Sequence, residues 1–473
     1  MMKRAVSLDV LRGLSIFGMI LSGTIPFGSS LPAWMYHAQT PPPSHAFNPG
    51  IPGITWVDLV LPVFIFCMGA AIPLALGKKL EKGQRVPELV KQIAARFATL
   101  VLFAIYIAHI MPHAIGKGFC NLNLLGTTVE GYDLQLFTFL GFLLMFPMFA
   151  NIRDSKKKII YRTIVWGGAA VLLLALRFIY GQEFSLYRSN IIILLLANVY
   201  LWGALGWLLT RKSMTAKLAL FIFWAAIQLL SKYTGFGNTG DVLPLVSWLF
   251  KLRMTFYLIL LIPSTIIGEW IAERLKSPKN FTEQVGVHLW KHVFFTLAFI
   301  LTVWLVLALF SRWMIAVYIV TPVLLGCMYW IASKHIPTYK KEISLAAYLI
   351  LIGLLLEPVE GGIRKDYVTA SYLLITGGMA TCLLLFFEYL SAYFAHSKLV
   401  KIVEGAGSNP LMAYVMSTWF AFPLLHISFF IGLYNLLNPA GYPWIGVLRA
   451  ACMVMVLMLF VNWLVKKKIV WRV

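Results

Sequence analysis

An imidazole in the stretch Ser44-His45-Ala46-Phe47-Asn48-Pro49-Gly50-Ile51-Pro52-Gly53-Ile54-Thr55-Trp56-Val57-Asp58 is the first group with the chemistry of a catalyst. Histidine takes and returns a proton near neutral pH, or accepts an acyl group on nitrogen, so His45 is a candidate general base or acyl acceptor. Asp58 is its candidate partner. Thr55 and Asp58 also fit the S/T-x-x-D/E capping pattern, which gives Asp58 a structural role at a helix start. His37 shares the loop with His45, and a lone loop histidine is more often ordinary surface than catalyst.

A second constellation opens the chain. In Ser7-Leu8-Asp9-Val10-Leu11-Arg12-Gly13, Asp9 and Arg12 stand three apart on one helical face and can pair. Such a pair either neutralises itself near a membrane surface or helps to grip an anionic cofactor. His109-xxx-His113 and His288-xxx-His292 have the i,i+4 spacing of helical metal ligands, but neither brings a third ligand, so no metal is expected. The five cysteines are scattered without a CxxC, which leaves neither a disulfide framework nor a thiolate site.

These residues are positioned by elements that lie in lipid. Of 473 residues, 60% are hydrophobic and 12% charged, with a mean hydropathy of +0.81, too little polar surface for a water-soluble globule. Backbone amides in a bilayer must be satisfied internally, and the long apolar runs select helices over a closed barrel. The expectation is an all-α membrane bundle with spans near 7–28, 55–77, 93–111, 134–150, 160–177, 190–210, 216–231, 254–272, 293–310, 313–333, 343–356, 370–393, 409–431 and 446–465. That is about fourteen helices, or twelve if the short segments 216–231 and 343–356 do not cross.

The net charge of +22 follows topology. With the amino terminus cytoplasmic, most Lys and Arg residues fall on alternate segments: Lys3/Arg4, Lys78 to Arg96, Arg153 to Arg162, Arg211 to Lys217, Arg274 to Lys291, Lys334 to Lys341, Lys398/Lys401 and Lys466 to Arg472. This positive-inside alternation puts both termini in the cytoplasm and argues against nucleic-acid binding. No cleavable signal peptide is expected, and no separate soluble domain; residues 1–473 read as one membrane unit. Two outward segments are structured enough for chemistry. One is the proline-stiffened loop 29–54, and the other is the charged run Glu357-Pro358-Val359-Glu360-Gly361-Gly362-Ile363-Arg364-Lys365-Asp366.

Several segments together resemble the heparan-alpha-glucosaminide N-acetyltransferase family, a family of transmembrane acyltransferases with many bacterial members. Ser7 to Gly13 is similar to its S-[LV]-D-x-x-R-G opening, and His45 through Thr55 and Asp58 to Pro62 to its H-A-x-W-x-G-x-T-x-x-D-L-V-F-P stretch, with His45 three residues farther from Asp58. Ile363-Arg364-Lys365 with Ser371-Tyr372 resembles I-N-K … S-Y-V, Arg364 replacing asparagine. Gly407-Ser408-Asn409-Pro410 resembles G-M-N-[SP], and Lys466 to Arg472 a terminal K-K-x-x-W-K.

The resemblance implies an enzyme that moves an acetyl group from cytoplasmic acetyl-CoA to the amine of a glucosamine-type sugar or glycan on the outer face. His45 would be the base or acetyl acceptor. Arg364, Lys365 and Asn409 would polarise the thioester carbonyl or hold substrate, Ser371 would lie in the substrate or cofactor region, and Asp9 and Arg12 would face the cofactor side. It also implies a bacterial cytoplasmic membrane, the possibility of a homodimer, and about four extra helices within 160–333. The competing class is a secondary transporter of a sugar or related small molecule, for which proline-interrupted helices such as the one holding Pro62 are suited.

Overall fold

The computed structural model describes residues 5–28, 31–124, 126–149, 155–234, 246–276, 289–439 and 441–471. It is 76% helical, and the strands among the described residues are a single antiparallel hairpin, β1 (Leu122–Leu124) with β2 (Thr127–Val129), paired Leu122 to Val129. The all-α expectation holds.

The long helices are α1 (Val6–Ser22), α2 (Trp56–Ile72), α3 (Val86–His109), α4 (Tyr132–Phe149), α5 (Ser155–Tyr180), α6 (Ile191–Thr210) and α7 (Met214–Thr234). They continue with α8 (Leu258–Lys276), α9 (Leu289–Phe310), α10 (Met314–His335), α11 (Lys340–Leu356), α12 (Ala370–Tyr393), α13 (Lys398–Ser408) and α14 (Pro443–Lys466). Between α13 and α14 the segment Pro410–Ile427 is helical with a π-helical stretch at Met416–Ala421.

Among the described residues, twelve helices are long and apolar enough to cross a membrane. The two spans of the sequence reading outside that set are α1 and α11, each of 17 residues, just under the roughly 20 that a perpendicular crossing needs. The segment around 216–231, read as short, is the 21-residue α7. The helix continues past that run through Met214 and Thr215 at one end and on to Thr234 at the other.

Two packing facts orient the site. First, α1 and α2 are antiparallel, because Arg12 near the start of α1 donates from Nη2 to the carbonyl of Cys67 late in α2, at 3.3 Å. Second, α12 runs beside α2 with its start at the opposite end, where the Tyr372 hydroxyl donates to the Asp58 carbonyl at 2.6 Å. Asp58 and Cys67 are nine residues apart, about 13–14 Å along a helix rising 1.5 Å per residue. The polar side chains of the sequence reading therefore fall into two separate groups, one at the end of α2 marked by Asp58 and one towards the end marked by Cys67.

Small residues let these helices approach. A Cβ on Gly407 would lie 1.8 Å from the carbonyl oxygen of Asp9, and one on Gly13 would lie 2.1 Å from that of Val403. Only hydrogen fits where α13 crosses α1. Gly268 does the same service between α8 and α2, its added Cβ falling 2.2 Å from the Ala70 carbonyl oxygen.

Candidate active site at the start of α2

Asp58 lies in the first turn of α2 and is fully buried. Its Oδ2 accepts from the Thr55 amide at 3.0 Å and the Ala38 amide at 3.1 Å. The first is the capping interaction expected from the Thr55-x-x-Asp58 spacing, which satisfies an amide at the helix start that has no intrahelical partner. The second ties down the loop that precedes the helix. Thr55 Oγ1 stands 2.8 Å from the Tyr36 carbonyl oxygen and 3.1 Å from Asp58 Oδ2, so its one hydroxyl proton serves either.

The remaining carboxylate oxygen, Oδ1, faces an imidazole. That imidazole belongs to His37, whose Nδ1 is 2.6 Å away. A carboxylate only accepts, so Nδ1 carries a proton, and in the neutral ring this places the lone pair on Nε2. The side chain of His37 retains 35% exposure against none for Asp58; the acid is buried and the base is open.

Lys365 comes from the turn before α12. Its Nζ is 3.1 Å from Nδ1 and 3.3 Å from Nε2 of His37. Near-equal distances to the two nitrogens put the ammonium over the ring and out of line with either lone pair. Nε2 thus remains without an in-plane partner among the described residues, with a positive charge beside it. A base oriented by a buried carboxylate, next to a cation able to steady developing negative charge, can run acyl transfer.

The turn that delivers Lys365 is itself built on buried carboxylates. Glu360 accepts from the amides of Ala370 at 2.9 Å and Ser371 at 2.7 Å, both at the start of α12, where a negative charge complements the helix dipole. Glu357 accepts from Arg312 Nη2 at 2.6 Å. Arg364 donates from Nη2 to the Glu360 carbonyl at 2.9 Å, and its backbone amide donates to Thr369 Oγ1 at 3.1 Å. Ser371 is fully buried, and its hydroxyl donates to Thr369 Oγ1 at 3.0 Å. Gly53 donates to the Ile363 carbonyl at 2.8 Å, fastening this turn to the segment before α2.

His45 does not meet Asp58. Its ring lies edge-on against Tyr36, centroids 4.4 Å apart, and 5.1 Å from Phe27. Among the described residues, the imidazole brought to Asp58 is that of His37, whereas the family-like stretch begins at His45. A signal was present: both histidines precede alanine, at His37-Ala38 and His45-Ala46, so the His-Ala step occurs twice in one loop. The residues from Gln39 to Gly53 form an excursion between the two halves of the pair.

Asp9, Arg12 and Asn409 belong to the other group. Arg12 Nη1 donates to Asp9 Oδ1 and to the Gly407 carbonyl, each at 3.2 Å, and Nη2 donates to Cys67 as described. Asn409 is fully buried and ties down the chain end, accepting from the Trp471 amide at 3.3 Å while Nδ2 reaches the Ile469 carbonyl at 3.4 Å. Lys365 and Asn409, grouped as carbonyl-polarising candidates, are therefore not neighbours. His109 is held as part of the core, Nδ1 donating to the Ile105 carbonyl at 2.7 Å and Nε2 accepting from the Ser185 amide at 3.1 Å. His288 lies outside the described residues, as do Lys3, Arg4, Arg153, Lys279 and Arg472 of the charge pattern.

A family model described as a domain of unknown function, DUF5009, matches residues 4–271, more than half of the chain. The chain belongs to that family. The DUF5009 region holds α1, the His37 loop, α2 and most of α8, so the His37–Asp58 pair lies within it and Lys365 is contributed from beyond it. No curated protein matches the sequence.

Proposed function

We propose that this DUF5009 protein is a membrane-embedded acyltransferase that carries an acetyl group from acetyl-CoA to the amine of a glucosamine-type sugar or glycan, with His37 in place of His45 as the reacting imidazole. The observation that carries the reading is the 2.6 Å contact of His37 Nδ1 with buried Asp58, which leaves Nε2 as the available lone pair beside Lys365. The segments resembling the heparan-alpha-glucosaminide N-acetyltransferase family supply the substrate class.

In this scheme Nε2 of His37 takes the proton from the acceptor ammonium, and the freed amine attacks the thioester carbonyl. Asp58 holds the ring in the required tautomer and stabilises the imidazolium that forms. Lys365 stabilises the negative charge on the carbonyl oxygen as the carbon becomes tetrahedral, and the thiolate then leaves with the electron pair of the broken C–S bond and takes the second proton of the attacking nitrogen, giving the amide and the thiol of CoA. Alternatively Nε2 receives the acetyl group first and passes it on in a second step.

The topology is part of the proposal. Adding α1 and α11 to the twelve longer helices gives fourteen crossings, and an even number agrees with both termini on the cytoplasmic side of a bacterial membrane. The His37 end then faces outward and the Arg12 end inward, so the acyl donor reaches through the bundle. Asp9 and Arg12 contribute as a neutralised pair that joins α1, α2 and α13.

Mass spectrometry of purified protein incubated with acetyl-CoA and a panel of amino sugars tests the reading: an N-acetylated product and free CoA are expected. Accumulation of sugar inside proteoliposomes without acetyl-CoA, and no product with it, would favour transport instead.

A further inference from the structure

Arg449 lies six residues into α14, about 9 Å along a helix apolar enough to cross a membrane. A charge at that depth is costly unless something compensates it. Arg12 and Arg274, which also lie within helices, each pair with a carboxylate. Arg449 pairs with none among the described residues. Its Nη1 donates to the Tyr434 carbonyl at 2.9 Å, and its guanidinium carbon stands 4.0 Å from the centroid of the Tyr434 ring. These contacts fix the guanidinium in place and leave its charge uncompensated. Nε is enclosed without a hydrogen-bond partner, while Nη2 has no partner among the described residues and is not enclosed.

The surroundings say which anion would reach it. The next residue, Ala450, packs with Ile25, Leu31, Met35 and Tyr36, so Arg449 lies at the His37 end of the bundle and away from Lys466 to Lys468. Leu433, Leu436 and Leu448 around it are exposed, as are Tyr442 and Trp444 just before and at the start of α14. Exposed leucines of a membrane bundle face acyl chains, and Tyr and Trp mark the level of the headgroups. The free Nη2 therefore stands where hydrocarbon gives way to headgroups, and the oxyanion abundant at that level is a lipid phosphate.

We propose that Arg449, held by Tyr434, binds the phosphate of a phospholipid in the leaflet at the His37 end. Nη2 donates to a phosphate oxygen in a charge-assisted hydrogen bond, and the lipid supplies the negative charge that the protein does not. The acyl chains lie over the exposed leucines. This inference stands apart from the acyl-transfer reading, since it concerns a bound lipid and not what reacts at His37.

Native mass spectrometry of the full-length protein, delipidated in detergent and titrated with dioleoylphosphatidylglycerol, reads the first lipid bound. Arg449→Gln should weaken that binding by about tenfold, and Arg449→Lys, which keeps the charge, by less. Dioleoylglycerol has the same chains without the phosphate, and it should bind wild type and Arg449→Gln alike. Equal affinity of wild type and Arg449→Gln for phosphatidylglycerol would overturn the proposal. A wild type that binds phosphatidylglycerol no more tightly than dioleoylglycerol would overturn it without any variant. Inorganic phosphate that binds the delipidated wild type as tightly as phosphatidylglycerol does, and is lost in Arg449→Gln, would assign the site to a free anion and overturn the lipid. The measurement needs no turnover, so a failed acetylation assay leaves it intact.

Discussion

Replacing Gly407 by alanine should unlock the crossing of α13 over α1, and the closeness of the two helices sets the size of the effect. The new Cβ would stand 1.8 Å from the Asp9 carbonyl oxygen, 2.8 Å from the Asp9 carbonyl carbon and 2.8 Å from the Gly13 amide nitrogen. All three are backbone atoms of a helix, so no side chain can swing away. An ordinary carbon–oxygen contact needs about 3.3 Å, which requires the helices to part by about 1.5 Å. That movement takes the Gly407 carbonyl out of reach of Arg12 Nη1, now at 3.2 Å. Overpacking costs about 1–3 kcal/mol and a lost hydrogen bond to a buried charge about 1.5–3 kcal/mol, giving about 2.5–6 kcal/mol together. With an unfolding entropy of about 1 kcal/mol/K for a chain of 473 residues, thermal unfolding in detergent should show the melting point of Gly407→Ala lowered by about 3–6 °C. Gly326→Ala is the control, because that glycine in α10 has nothing within 4 Å of an added Cβ; its change should stay within about 1 kcal/mol and be stabilising, as for an exposed helical glycine. A Gly407 variant as stable as wild type would refute the close-crossing argument.

Three further outcomes follow from the same contacts. Arg274 bridges Glu342 and Glu388, so Arg274→Gln should cost about 3–5 kcal/mol by leaving two carboxylates without their cation; Arg274→Gln with Glu342→Gln should recover much of that loss in a thermal unfolding series. Glu360→Gln replaces one of the two oxygens that cap α12 with an amide group facing an N–H, and should lower stability by about 1–2 kcal/mol. Asp58→Asn keeps one acceptor oxygen, which the Thr55 and Ala38 amides hold at the Oδ2 position, and turns an NH2 towards His37 Nδ1; amide exchange at Ala38 should stay slow while product formation falls through the inverted His37 tautomer.

Most of the bundle was legible in the sequence because lipid imposes a long apolar run on every crossing. The Asp9–Arg12 pair and the Thr55–Asp58 cap were legible for a related reason: both are local, three residues apart, and helix geometry alone brings them together. What escaped was long-range. Lys365 meets His37 across 328 positions and Arg12 meets Gly407 across 395, distances at which spacing carries no information. The pairing of His37 with Asp58 was out of reach for the same reason: the family-like stretch points to His45, whereas Asp58 Oδ2 is bonded to the Ala38 amide, and this fixes the neighbouring residue, His37, beside Oδ1.

The central claim is that His37 is the reacting imidazole, and the most direct test is product formation from acetyl-CoA and an amino-sugar acceptor by wild type, His37→Gln and His45→Gln at matched folded concentration. General-base catalysis contributes about 10²–10⁴-fold, so His37→Gln should lose at least about a hundredfold in rate, far more than His45→Gln. Undiminished turnover by His37→Gln, or loss confined to His45→Gln, would contradict it.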